Sequence, residues 1–305
     1  MRHLLRDDDL TAAEQQAVLA HALHLKANPY DDQCLAGPQT VAMVFDKPTL
    51  RTQTSFAAGI AELGGHAMQV DGHLAGIGVR ESVADVARVL GRQAGVIVWR
   101  TFAQANVVEM ADHAGVPVIN ALTDDFHPCQ GLADLMTIQE HKGALAGLTY
   151  TFLGDTACNM GNSTLLASAL AGMHVRVSGP EGFLPNPAVV DRAKAIAQET
   201  GGSVNVIHDP REAVEGADAV ATDTWVSMGK EDEAFRRERI FGAWQLNRRL
   251  LSLADDEAVV LHCLPAYRGK EISAKVLDGP QSVVWDQAEN RRHVQKAALS
   301  WLVSR

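Results

Sequence analysis

The 305-residue chain lacks any apolar run approaching the roughly 20 residues a membrane-spanning helix needs. Its opening, "MRHLLRDDDL", turns acidic where a signal peptide carries its apolar segment, so a cytoplasmic protein with no membrane partner is expected. It also lacks a lysine or arginine block: acidic residues outnumber basic ones 37 to 27, for a net charge of −10 and a pI near 5.6. That balance argues against a nucleic-acid partner. No Cys-x-x-Cys spacing occurs among Cys34, Cys129, Cys158 and Cys263, which in a chain of this size favours reduced thiols over a disulfide framework. There is no low-complexity linker and no short-period repeat. The fingerprint G-x-G-x-x-G is missing as well, so "GDTACNMGNSTLL" (154–166) is a poor candidate for a nicotinamide-binding loop.

What is present is a soluble composition, 47% hydrophobic and 21% charged, long enough for two domains with a sizeable core. Short runs rich in Val and Ile alternate with helical patterns, the signature of parallel sheets covered by helices on both faces. In the first half the strand candidates are 41–45, 66–70, 95–99 and 116–120. The second series is 148–155, 174–180, 203–209, 217–223 and 257–264. Between the two series, 125–143 reads as a helix opened by "HPCQ", with Pro128 allowed in its first turn and Gly143 as its stop. The expected fold is therefore α/β, with two open parallel-sheet domains spanning 1–140 and 141–289, and a closing helix, 290–305, packing back onto the first.

In open α/β sheets ligands bind beyond the carboxyl ends of the strands, and most of the polar oddities of this chain lie there. "KPTLRTQTSF" (47–56) places two threonines and an arginine where a strand gives way to a helix, whose free N–H groups and positive dipole end suit an anion. Arg51 adds a planar fork matched to phosphate oxygens. A plain cap by Thr49 or Thr52, with Arg51 a solvated charge, explains the stretch equally well. Arg100 and His127 follow two further strands and bring more donors to the same crevice, although each alone also reads as an ordinary surface pair or helix cap. Asn159 either caps the helix after it or bonds a ligand, and Asp223 either caps a turn or takes an ammonium group. In "LHCLP" (261–265), Cys263 is a polar contact or thiolate on one reading and a small core residue on the other. Adjacent His262 and Cys263, with His127 and Cys129 far away in sequence, lack the usual spacing of a zinc site, so no metal is expected.

Seven segments in order, "TLRT" (49–52), "WRT" (99–101), "HPCQ" (127–130), "GDTACNMGNS" (154–163), "DTWVSMG" (223–229), "HCLPAYRG" (262–269) and "WDQAENRRH" (285–293), together resemble the motifs of the ornithine carbamoyltransferases. The resemblance runs over nearly the whole chain, and "DTWVSMG" looks like the ornithine-binding segment, where aspartate carbamoyltransferases differ. It implies two α/β domains joined by long helices, a homotrimer with active sites at subunit interfaces, and no metal or organic cofactor. The implied reaction moves the carbamoyl group of carbamoyl phosphate to the side-chain amine of L-ornithine, giving citrulline and phosphate. By motif, Thr49, Leu50, Arg51, Thr52, Arg100, His127, Pro128, Cys129, Gln130, Cys263, Leu264 and Arg291 would hold carbamoyl phosphate. Asn159, Asp223, Ser227 and Met228 would hold ornithine, and Arg100, His127 and Cys263 would be the catalytic groups. "SMGKEDE" (227–233) would be a closing loop.

Two positions depart from the pattern: Gln53 stands where the family usually has a second arginine, and Gly76 where it usually has a glutamine that reaches into the neighbouring subunit. Arg80 in the same loop is a candidate to compensate. These departures keep open a carbamoyltransferase for a related amine or amino acid, and a catalytically weak paralogue that binds ligand without turnover. Retention of Arg51, Arg100, His127, Asp223 and Cys263 argues against the latter.

Overall fold

The structure is a computed structural model that describes residues 1–226 and 231–304. It divides into two compact units, Met1–Met136 with the chain from Glu289 onward, and Thr137–Ala288. The division falls inside two helices, Pro128–Lys142 and Val284–Val303.

The first unit carries four parallel strands, β1 (Thr40–Phe45), β2 (His66–Asp71), β3 (Val96–Arg100) and β4 (Val118–Leu122), in the order β2-β1-β3-β4. The central pair, "TVAMVF" and "VIVWR", is buried on both faces apart from Thr40, as expected of continuous apolar runs covered by helices. In edge strand β2, Ala67, Met68 and Val70 are half-buried while His66, Gln69 and Asp71 are exposed. The far edge, at β4, is covered by the N-terminal segment: Leu4 N–H donates to the Val118 carbonyl at 2.9 Å, and Asn120 N–H donates to the Leu4 carbonyl at 2.8 Å. One side of the sheet packs against helices Val83–Leu90 and Gln104–Ala114, whose Leu90, Val107 and Met110 join Ile97, Trp99 and Val118 in a core. In the same unit the ammonium of Lys296, wholly buried, is satisfied by Glu62 and the carbonyls of Leu25 and Pro29.

The second unit carries five parallel strands, β5 (Thr149–Leu153), β6 (His174–Ser178), β7 (Ser203–Val206), β8 (Ala219–Thr222) and β9 (Val259–His262), in the order β7-β6-β5-β8-β9. Its core gathers Leu153, Val220 and Val260 from the sheet with Ala213, Leu250, Val276 and Leu277 from the helices on one face.

In both sheets the chain leaves a central strand in one direction and later returns to pair on its other side. The reversal lies between β1 and β3 in the first sheet and between β5 and β8 in the second. At such a point the loops leaving the two strands diverge and open a crevice, so the segments after Phe45, Arg100, Leu153 and Thr222 are the ones this topology offers to a ligand.

Several sequence expectations need adjustment at their ends. Strands expected to run to residues 155, 209 and 264 stop at Leu153, Val206 and His262: Gly154 turns at φ +112°, Asp209 caps the next helix, and Leu264 turns at φ +57°. The helix expected over 125–143 begins at Pro128, whose ring already has helical φ, and Gly143 follows its end with φ +81°. The closing helix starts at Val284, well before residue 290. Among the described residues no helix is long and apolar enough to cross a membrane, and no disulfide links the four cysteines.

Candidate active site

In the first unit, Arg51 opens helix Arg51–Glu62 and Thr52 lies buried in its first turn. Neither threonine is the cap: Leu50 holds that position with no side-chain bond, while the Thr52 N–H donates to Thr49 Oγ1 at 3.4 Å. The helix mouth therefore keeps its first N–H groups directed outward instead of closing them with a strong side-chain acceptor. From the closing helix, Arg291, 3% exposed, donates from Nη2 to Thr52 Oγ1 at 2.8 Å. Arg100 is the last residue of β3 and is buried, one strand over from the loop after β1.

His127 immediately precedes helix Pro128–Lys142, and its carbonyl accepts from the N–H groups of Gln130 (2.9 Å) and Gly131 (3.1 Å). Its imidazole is buried, and its pKa is held well below the ordinary value, first by burial and then by the positive charges of Arg291, Arg100 and Arg51. Three guanidinium groups thus act on one neutral imidazole in a protein whose net charge is −10. Nearby, the Gln130 amide donates to Asp134 at 2.8 Å and is oriented by it, and the Cys129 thiol, 3.8 Å from the Asn120 carbonyl, is pushed up to about 12, chiefly by burial. A thiol in that state is a small buried donor.

Two supports of this loop cluster carried no signal in the sequence. Lys47, 7% exposed, donates to Asp124 at 2.6 Å and lies 4.2 Å from the Phe102 ring centroid, linking the loops after β1, β3 and β4. Trp99 Nε1 donates to Asp46 at 3.0 Å, which ties β3 to the residue just after β1.

Gly76 has a left-handed backbone, φ +68°, where it closes the short turn of helix Gly72–Ala75, and a Cβ there would lie 2.9 Å from Arg80 Cβ. The departure at this position is therefore a backbone requirement of the turn, and a glutamine would be both strained and crowded. Gln53, in the first turn of its helix, is half-buried.

In the second unit, Asp223 is the residue after β8 and Cys263 the residue after β9. The Cys263 thiol donates to Asp223 Oδ1 at 3.0 Å, and the same oxygen accepts the Thr224 N–H at 2.7 Å. Burial raises the Asp223 pKa, against the lowering effects of His262, Cys263 and Thr224. Asn159 is the first residue of helix Asn159–Leu170, and Cys158 holds the cap position, so Asn159 is not the cap.

Leu264 is held in the left-handed region, φ +57°, and the peptide bond to Pro265 is cis. Its N–H donates to His262 Nδ1 at 2.9 Å, so the His262 proton lies on Nε2, 3.1 Å from buried Glu271. Glu271 also accepts the Tyr267 N–H at 2.5 Å. A strained turn beside the thiol is thus held by a buried imidazole and carboxylate. Sequence reasoning missed Glu271, which lies outside every motif that was singled out. Among the described residues, Asp223, His262 and Cys263 have ligand atoms within 4.8 Å of one another, yet both ring nitrogens of His262 are committed to Leu264 and Glu271, which does not suit a metal. Ser227 and Met228, and most of the expected closing loop, lie outside the described residues.

The family model described as the carbamoyl-P binding domain of aspartate/ornithine carbamoyltransferase matches residues 2–140, and the model for the Asp/Orn binding domain matches residues 146–302. An ornithine carbamoyltransferase of Clavibacter michiganensis subsp. michiganensis is 57% identical over 302 residues, covering 99% of this chain and 98% of its own. The structure of the ornithine carbamoyltransferase from Pyrococcus furiosus superimposes with a TM-score of 0.95 at 42% identity, covering 99% of this chain and 97% of its own. An acetylornithine transcarbamylase complexed with acetylcitrulline is more distant in sequence, 32% identical with a TM-score of 0.89 and all of both chains covered.

Proposed function

The chain belongs to the aspartate/ornithine carbamoyltransferase family, and from that premise we propose that it transfers the carbamoyl group of carbamoyl phosphate to the side-chain amine of L-ornithine, giving L-citrulline and phosphate. The observation that carries the reading is the convergence of Arg51, Arg100 and Arg291 on neutral, buried His127 at the strand ends of the first unit. A dianion fits that field, and carbamoyl phosphate brings one together with a carbonyl group.

In this reading the first unit is the carbamoyl-phosphate half. Thr49, Leu50, Arg51 and Thr52, at the helix mouth, take the phosphate with Arg291. Arg100 and His127, with Gln130, Pro128 and Cys129 shaping the wall, face the carbamoyl oxygen. The imidazole, being neutral, offers a hydrogen bond without adding a fourth charge. The second unit is the ornithine half: Asn159, Asp223, Ser227 and Met228 hold the amino acid, with Cys263 and Leu264 just after β9 of the same unit.

The amine, neutral, attacks the carbamoyl carbon; a C–N bond forms, charge builds on the carbonyl oxygen, and the C–O bond to phosphate breaks. Donors preorganised for that oxygen supply the largest share of the acceleration, and holding both substrates together supplies most of the rest. Asp223 and the Cys263 thiol receive the amine, whose ammonium proton leaves before attack, and the N–H proton given up as the C–N bond forms goes out with the departing phosphate. Because a free alkylamine titrates near pH 10.4, activity should rise from about pH 6 to about pH 9. The protein acts as a homotrimer with active sites at subunit interfaces. In support, Leu50, Leu74 and Val79 of the first unit are 71%, 81% and 93% exposed, apolar area that a neighbouring subunit would cover. Its place is the cytoplasm, in arginine biosynthesis.

The test is a colorimetric assay for carbamoylated product with ornithine, N-acetylornithine, putrescine and aspartate as acceptors. Product with ornithine well above the others is expected; preference for another acceptor reassigns the substrate, and none with any acceptor removes the reaction.

A further inference from the structure

Helix Ala234–Phe241 carries three arginines, Arg236, Arg237 and Arg239, and Arg237 alone of these is buried, 4% exposed. Its Nη1 donates to Asp155 Oδ2 at 2.7 Å and to the Trp225 carbonyl at 3.1 Å, and its Nε donates to Glu233 at 2.7 Å. The face of the guanidinium lies 4.9 Å from the Phe183 ring centroid. Phe183 meets Phe241 edge-on at 4.7 Å, and Trp225 stacks on the other side of Phe241 at 5.8 Å. Gly154, at φ +112°, allows this approach: a Cβ there would already be 3.4 Å from two atoms of the Trp225 indole.

The two groups that Arg237 joins belong to the two loops at the reversal point of the second sheet. Asp155 lies in the loop from β5 to helix Asn159–Leu170, where its Oδ1 also accepts the Ala157 N–H at 3.2 Å, four positions before Asn159. Trp225 lies two positions after Asp223 in the loop from β8. Both Asp155 and Asp223 act on the thiol of Cys158, which burial first and then these two charges push well above its ordinary value, so the two carboxylates share one neighbourhood. Arg237 pairs with Asp155, whereas Asp223 is held by hydrogen bonds from the Thr224 N–H and the Cys263 thiol.

We propose that Arg237 is a positioning residue for the amino-acid acceptor: it fixes the Asn159-bearing and Asp223-bearing loops to each other and neutralises Asp155, so that Asp223 is the carboxylate left to receive the ammonium group. A guanidinium suits this task because its planar fork reaches Glu233 through Nε while Nη1 holds Asp155 and the Trp225 carbonyl, which the single ammonium of lysine does with less geometric control. The inference rests on the ornithine reading above.

The experiment is steady-state kinetics of the full-length protein and of Arg237→Gln, Arg237→Lys and the double variant Asp155→Asn with Arg237→Gln, alongside melting temperature. Arg237→Gln should raise the KM for ornithine about tenfold or more while the KM for carbamoyl phosphate stays within about twofold. Arg237→Lys should fall between it and the parent. The double variant, with both charges gone, should recover most of the lost ornithine KM, whatever it does to the melting temperature. A purely structural arginine would lower the melting temperature with ornithine KM unchanged, or make the double variant worse than the single one; either result overturns the proposal. Should Arg237→Gln not fold, Arg237→Lys and the double variant, compared with the parent, carry the same decision. If the parent protein carbamoylates a different amine, the ornithine reading fails, and the KM ratios for that amine decide the role of Arg237.

Discussion

The two strand-end crevices are built on one topological rule and carry opposite charge. At the reversal between β1 and β3 the chain gathers Arg51, Arg100 and Arg291 around His127, with Lys47 behind them. At the reversal between β5 and β8 it gathers Asp155, Asp223 and, from beside β9, Glu271, with one arginine spent on Asp155. The contrast teaches that one fold, repeated, sorts an anionic from a cationic substrate by which side chains follow its strands.

The largest break in that contrast should come from Arg100→Gln, which removes a charge aimed at the developing oxygen. A fall in kcat of about 10²–10³ is expected, with secondary structure by circular dichroism unchanged. Glu271→Gln probes the other crevice through His262. With a neutral partner the bond from Nε2 loses its charge assistance and the Leu264 turn that His262 holds loosens, so kcat/KM for ornithine should fall about tenfold with carbamoyl-phosphate KM unmoved.

Acid should act chiefly on the cationic unit. The pKa values of His127 and His293 are both depressed, each first by burial, that of His293 to about 4. In the unfolded chain both take up protons near pH 6.5. Below that value the unfolded state binds more protons than the folded one, so stability is fully present above about pH 6.5 and is lost as pH falls toward about 4. Denaturant midpoints at pH 7 and pH 5 should show the loss, and His293→Gln should flatten it. The smallest expected effect is that of Gln53→Arg: a half-buried charge in the first helical turn should improve carbamoyl-phosphate affinity by about two- to threefold, read from its KM.

The core of β1 was legible because residues buried on both faces must be apolar: 41–45 lies wholly inside it, whereas the strand expected over 174–180 stops at Ser178. Strand ends were not: the expected strand 203–209 stops at Val206, and Asp209 already caps the following helix, a boundary that spacing alone does not mark. The rule that ligands gather at strand ends picked out Arg51, Arg100, His127, Asp223 and Cys263, because charged or polar side chains after apolar runs stand out in one dimension. Their supports do not. Glu271 reaches His262 across nine positions and Arg237 reaches Asp155 across 82, and nothing in spacing links such pairs before the chain folds. Gly76 shows the reverse: it read as a lost amide, and the left-handed backbone makes it a required glycine.

Calorimetric titration of carbamoyl phosphate into the parent protein, Arg51→Ala and Asp223→Asn tests the division between the crevices most directly. Arg51→Ala should weaken binding by about a hundredfold or more, as loss of a bidentate charge-assisted contact demands, while Asp223→Asn binds within about twofold of the parent. Equal affinity in Arg51→Ala and the parent, or a comparable loss in both variants, would contradict the assignment of the anion to the first crevice.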